Sequence, residues 1–172
     1  MLSYKEKLND ITTFIFDVDG VLTTGEVQLT SGDLVRTLNS KDGYALQLAA
    51  KLGYKIFIIT GGKSEAVKSS LLGLGITEVH LSSSNKVKVF EDITHRHGIS
   101  AKEVLYMGDD IPDIPLLKLV GLAACPQDAA VDVKSNCDYQ SPFNGGKNCV
   151  RDVIEQVLRL NGQWLSAAAF EW

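Results

Sequence analysis

Short apolar runs at 11–16, 55–60, 78–81, 104–107 and 122–124 alternate along the chain with segments of helical periodicity at 44–52, 64–72, 86–97 and 113–120. Runs this short, bounded by polar and turn residues, read as buried strands. Each helical segment stops at a glycine, Gly53, Gly73, Gly98 or Gly121, the residue that most readily takes the left-handed conformation that ends a helix. Strands alternating with helices predict parallel βαβ units, and hence an α/β fold with a doubly wound, mainly parallel sheet and helices on both faces. The spacing gives that Rossmann-like sheet five strands. With 172 residues and 45% hydrophobic content, the chain can fill one core, so residues 1–172 are predicted to form a single domain.

One stretch breaks the alternation. Residues 26–29 and 34–38 flank Thr30-Ser31-Gly32-Asp33, whose glycine and polar residues suit a four-residue hairpin connection, so a β-hairpin insertion at 26–38 follows the first strand. A helix is predicted within 144–160, with Val150, Val153, Ile154, Val157 and Leu158 on one stripe. The tail, 161–172, carries Trp164, Phe170 and Trp172; it is expected either to pack on a neighbour or to be partly disordered.

A formal net charge of −4 without a lysine or arginine cluster argues against a nucleic-acid partner. The first residues carry Lys5, Glu6, Lys7 and Asp10, which leave no unbroken apolar stretch of the signal-peptide kind, and no run approaches the roughly 20 apolar residues that span a bilayer. A cytoplasmic protein without membrane contact is the expectation. Cys125, Cys137 and Cys149 stand twelve residues apart with no C-x-x-C spacing, which reads as free thiols.

In an open parallel sheet, ligands bind beyond the carboxyl ends of the strands. There the sequence places Asp17 and Asp19 after the first strand, Thr60, Gly61 and Gly62 after the second, and Gly108, Asp109, Asp110 and Asp113 after the fourth. Lys86 opens the helix after the third. Carboxylates crowded together resist common ionisation unless a cation joins them. Oxygen-only ligands favour Mg2+ over zinc. Thr60, the Gly61 N–H and Lys86 are all suited to phosphate oxygens.

These residues carry a resemblance. DVDGV at 17–21, ITGG at 59–62, Lys86 and GDDIPD at 108–113 resemble the four motifs of the haloacid dehalogenase superfamily, in order and spacing, along nearly the whole chain. The lack of a cap-sized insertion, the hairpin, KDGYAL at 41–46 and GGKNCVRD at 145–152 are similar to the 3-deoxy-D-manno-octulosonate 8-phosphate (KDO 8-phosphate) phosphatases. That resemblance implies a phosphomonoesterase of lipopolysaccharide sugar synthesis, acting on a small phosphorylated acid sugar. It also implies a homotetramer whose neighbouring subunits close each site. Asp17 would be the nucleophile, forming an aspartyl phosphate, and Asp19 would protonate the leaving oxygen and later activate water. Mg2+ would be held by Asp17, Asp109 and the backbone carbonyl of Asp19, with Asp110 supporting; Thr60, Gly61 and Lys86 would stabilise the transferring phosphoryl group.

Other assignments stay open at this level. Asp113 serves either as a helix N-cap or as site support. Lys41 and Asp42 either meet substrate or only start a helix. Lys147 or Arg151 reaches a substrate carboxylate, across a subunit boundary in the family's manner, or Arg151 pairs locally with Asp152 or Glu155. Many relatives carry arginine where this chain has Gly62, and Lys63 is the adjacent cation that could replace it. Nine-carbon acid sugar phosphates are the competing substrates, and a noncatalytic phosphosugar-binding module or a phosphotransferase are the competing classes. His80, His95 and His97 are given no role in the site.

Overall fold

The computed structural model describes residues 3–30 and 34–171. The chain runs through α1 (Tyr4–Lys7), β1 (Thr13–Phe16), β2 (Gln28–Leu29), β3 (Leu34–Val35), α2 (Ser40–Lys51), β4 (Lys55–Ile59), α3 (Glu65–Leu72) and β5 (Glu78–His80). It continues through α4 (Lys86–His97), β6 (Val104–Met107), α5 (Ile114–Leu117), β7 (Leu122–Cys125), α6 (Val131–Lys134), β8 (Tyr139–Gln140) and α7 (Cys149–Leu160). The strands of the main sheet lie in the order β5-β4-β1-β6-β7-β8, and every pairing is parallel.

Both faces of this sheet are covered, which is why its strands read as continuous apolar runs rather than alternating ones. Phe14, Phe16, Ile56, Ile58, Leu105 and Met107 join one core with α2, α3 and α7. Their neighbours Ile15, Phe57, Ile59 and Tyr106 join the other with α4, α5 and α6. Burying a side chain such as Ile15 or Phe57 contributes about 1.5–3 kcal/mol. From β1 the chain builds outward to β4 and β5, then returns to β6 on the other side of β1. The strand order therefore reverses between β1 and β6, where a doubly wound sheet opens a crevice.

The α/β reading holds, with local differences. The sheet has one strand more than the apolar pattern predicts: β8 is a two-residue edge, paired through Ala124 with Tyr139 and Cys125 with Gln140, too short to register as an apolar run. Helix α2 begins at Ser40 instead of 44, because Asn39 caps it by accepting from the Lys41 N–H at 2.8 Å. Within the expected 144–160, helix α7 begins at Cys149, because Gly146 and Asn148 before it both have positive φ. Of the four expected glycine stops, Gly53 and Gly98 have positive φ as predicted and Gly73 is right-handed. Gly121 serves close packing instead, since a Cβ there would stand 1.9 Å from the Lys102 carbonyl oxygen.

The hairpin forms as β2 and β3, antiparallel with Gln28 opposite Val35; residues 31–33 of its expected turn lie outside the described residues. In the tail, Trp164 is buried, edge-on to Tyr44 and beneath the Arg151 guanidinium, so it packs on its own chain. Phe170 is exposed, and Trp172 lies outside the described residues.

Candidate active site

The turn after β1 and the loop after β6 face each other across the crevice. Asp17 ends β1; its Oδ1 accepts from the Val18 N–H at 2.7 Å, and its Oδ2 lies 3.0 Å from Lys86 Nζ. Lys86 opens α4, whose cap is Asn85 accepting from the Lys88 N–H. A cation at a helix N-terminus works against the helix dipole, so its placement needs another cause. That cause is Asp113: its Oδ1 is 2.5 Å from Lys86 Nζ and accepts from the Tyr106 hydroxyl at 2.6 Å. Its Oδ2 accepts from the backbone N–H groups of Asp109 and Asp110 at 2.9 and 3.2 Å.

Asp113 is thus a site support, a fully buried carboxylate with four donors that fixes the lysine and the loop together; it makes no side-chain cap on α5, and its part in the helix start is the bond it accepts from the Asp110 N–H. The Asp110 carboxylate points into the same helix start, accepting from the Ile111 N–H. Asp17, Asp109 and Asp113 each offer an oxygen, all within 4.8 Å of one another. Because four donors already occupy Asp113, Asp17 and Asp109 are the carboxylates left to ligate a cation.

Their electrostatics call for one. Burial pushes the Asp17 carboxyl up to about 6, against the pull of Lys86 and with a push from Asp113. Burial, then the charges of Asp17 and Asp113, push Asp109 up to about 7. Burial works against the Lys86 ammonium, but Asp17 and Asp113 outweigh it and raise its pKa. A site with oxygen donors and a deficit of positive charge fits a hard divalent ion. Gly20 makes room for the Asp109 carboxylate: with φ of 87°, a Cβ there would lie 2.0 Å from Asp109 Oδ2.

The cavity over this cluster measures about 810 Å³ and is lined by Asp17, Asp19, Thr60, Lys86 and Asp109, together with Gly61, Gly62, Lys63, Asp110 and Asp113. Thr60 is buried, its Oγ1 accepting from the Gly62 N–H at 3.1 Å. Asp19 stands on the turn with extended backbone, and the Thr23 hydroxyl donates to it at 3.4 Å.

Residues 72–154 match the family model described as haloacid dehalogenase-like hydrolase. The chain is also 34% identical, over 91% of its length and 84% of the other's, to the 3-deoxy-D-manno-octulosonate 8-phosphate phosphatase KdsC of Escherichia coli K12. The chain belongs to the haloacid dehalogenase-like hydrolases. Within that family it is a phosphatase of the KdsC kind. A phosphatase structure from Moraxella catarrhalis, described as a complex with magnesium ion, phosphate ion and KDO, superposes with a TM-score of 0.92 at 28% identity, covering 98% of each chain. The cobalt-bound phosphatase of Haemophilus influenzae gives 0.89 at 27%, covering 95% of this chain and 98% of that one.

Not every residue singled out in this hydrolase from sequence reaches the cavity. Lys41 and Arg151 line a separate one of about 540 Å³, with Asn148, Glu155 and Arg159. Arg151 pairs with Glu155 at 3.3 Å, the local alternative. Asp42 is buried and accepts from the backbone N–H groups of Asn148 and Arg151 at 3.2 and 2.8 Å, which joins α2 to α7. Lys147 is exposed and lines neither cavity. The glycines before it do structural work: Gly146 donates to the Val21 carbonyl at 2.8 Å, and a Cβ on Gly145 would lie 2.0 Å from the Gly20 carbonyl oxygen. His80 and His97 bond Glu78, remote from Asp17 in the fold's edge strand.

The residue that sequence reasoning missed is Arg36. It follows β3, lines the cavity and reaches Asp19 at 2.6 Å. No motif marks it; only the hairpin's return over the β1 turn brings it there.

Proposed function

We propose that this phosphatase hydrolyses KDO 8-phosphate to KDO and inorganic phosphate, as a cytoplasmic step in lipopolysaccharide sugar synthesis. The observation that carries the reading is the Asp17–Lys86–Asp113 chain set against Asp109 on one cavity wall. An Asp17 oxygen attacks phosphorus while the bond to the sugar oxygen breaks, and Asp19 delivers a proton to that oxygen. Asp19 then takes a proton from water, which attacks the phosphorus and returns Asp17 as a carboxylate. Lys86 and Thr60, with the Gly61 N–H, hold the phosphoryl oxygens during both steps.

Asp17, Asp109 and the Asp19 backbone carbonyl would hold Mg2+, with Asp110 at the rim. When bound, the ion supplies positive charge that lets both carboxylates ionise and that screens the phosphate. The substrate reading is supported by the names of the relatives and by the KDO and magnesium described for the Moraxella catarrhalis structure. A homotetramer is supported by the hairpin's exposed Leu29, Leu34 and Val35, apolar groups suited to a neighbouring subunit. Among the described residues, no helix is long and apolar enough to cross a membrane.

The test is phosphate release with Mg2+ and then with excess chelator, across KDO 8-phosphate, nine-carbon acid sugar phosphates and simple hexose phosphates. Chelator-sensitive preference for the eight-carbon acid is expected. A nine-carbon preference would replace the substrate, and no turnover of any ester would leave only a binding module.

A further inference from the structure

Arg36 closes one side of the cavity with a guanidinium that none of the motifs supplies. Its Nε and Nη2 donate to Asp19 Oδ1 and Oδ2 at 2.6 and 3.0 Å, a two-point fork onto one carboxylate. Its Nη1 donates to the Leu34 carbonyl at 3.1 Å, which orients the fork from the hairpin. The Arg36 side chain is only 6% exposed, so the group is built into the site rather than waving above it.

Gly62 admits this arrangement. A Cβ at 62 would lie 3.3 Å from Thr60 Oγ1, 3.6 Å from Asp19 Oδ2 and 3.8 Å from Arg36 Nη2. The enclosed space among Asp19, Arg36, Thr60 and Gly62 is only about 10 Å³. A long side chain at 62 would compete with the guanidinium for the same corner. This chain therefore brings its cation to that corner from the hairpin and leaves position 62 bare.

Asp19 must turn an oxygen toward the leaving group, yet both of its oxygens are taken by one fork. The Nε/Nη2 edge that holds Asp19 accepts one carboxylate at a time. We propose that Arg36 is the residue that recognises the substrate's carboxylate, and that this carboxylate displaces Asp19 from the fork and so frees it for proton transfer. The inference rests on reading the substrate as a carboxylate-bearing sugar phosphate. The substrate's acid group is then both its mark of identity and the trigger for turnover. A neutral sugar phosphate binds through its phosphate but leaves Asp19 held.

The experiment compares kcat and KM for KDO 8-phosphate and a hexose 6-phosphate in the Mg2+-loaded wild type, Arg36→Ala, Arg36→Lys and the double variant Arg36→Ala/Gly62→Arg. In Arg36→Ala, kcat/KM for the acid sugar should fall about 10- to 100-fold, mostly through KM, while kcat for the neutral sugar rises because Asp19 is no longer held in the fork. Arg36→Lys, which keeps the charge without the fork, should show an intermediate preference. The double variant should regain preference for the acid. Equal loss on both substrates would reduce Arg36 to an orienter of Asp19 and overturn the proposal, as would full acid preference in Arg36→Ala. Absence of wild-type turnover on every ester would instead remove the phosphatase reading beneath it.

Discussion

Asp113 Oδ1 and Asp17 Oδ2 grip the same ammonium, Lys86 Nζ, from 2.5 and 3.0 Å. Three charges from three strand ends are thereby tied into one unit, and the buried member, Asp113, has no lone pair left for a metal. Asp113→Asn should therefore keep divalent-ion affinity within about threefold, while lowering kcat by about 10- to 100-fold because Lys86 loses its anchor. Asp109→Asn should abolish ion binding. Magnesium titration by calorimetry separates the two; equal loss in both would make Asp113 a ligand.

Asp17 and Asp109 make the metal-free protein pH-sensitive. Both carboxyls are raised in the fold, from 3.8 to about 6 and about 7, so between those limits the folded state binds more protons than the unfolded state. Stability contributed by these groups is complete below about pH 4 and is lost as pH rises to about 7. In chelator, Tm should fall by about 5 °C or more between pH 5 and pH 8, and saturating Mg2+ should restore it at pH 8. Asp109→Asn should flatten the chelator curve, and a Tm that rises over that interval in the wild type would contradict the assignment.

Magnesium affinity follows the same groups. Below about pH 7 for Asp109 and about pH 6 for Asp17 protons occupy the carboxylates that would hold the ion, so binding should weaken by close to tenfold per pH unit for each carboxylate proton that must leave. Calorimetry in buffers of differing ionisation heat should register proton release at pH 6 and little at pH 8. Affinity independent of pH across that range would mean the ion sits elsewhere.

The glycine pair before α7 sets the catalytic turn by contact. A Cβ on Gly145 would meet the Gly20 carbonyl oxygen at 2.0 Å, and Gly20 in turn leaves room for Asp109. Gly145→Ala should destabilise by about 2–4 kcal/mol and lower kcat through the shifted Asp19 turn. Wild-type Tm and kcat in the Gly145→Ala variant would show that the segment gives way freely.

The main strands and the residues at their tips were legible because each strand here is an apolar run cut off by a chemically distinctive turn. Asp17, Thr60, Lys86 and Asp109 could be read as one group on the strand-end rule alone, and they line one cavity. Arg36 could not, because a two-residue strand on an exposed hairpin has no periodicity that says where its neighbour points. Asp113 was readable only as cap or support, and the fold makes it support, since one oxygen serves the lysine and the other the loop and neither caps α5. β8 escaped for lack of length.

Asp42 is where motif resemblance and geometry give different expectations. Its carboxylate is 1% exposed and accepts from two backbone N–H groups at the start of α7, while burial raises its pKa. Removing it strands two buried donors, so Asp42→Ala should cost about 2–4 kcal/mol and lower Tm by about 5–15 °C. Assayed below its own transition, the variant should keep wild-type KM for KDO 8-phosphate, because the side chain faces α7 and lines neither cavity. Asp42→Asn, which keeps an acceptor oxygen, should recover part of the stability without changing KM. A raised KM in the asparagine variant at unchanged Tm would show that this carboxylate meets substrate after all.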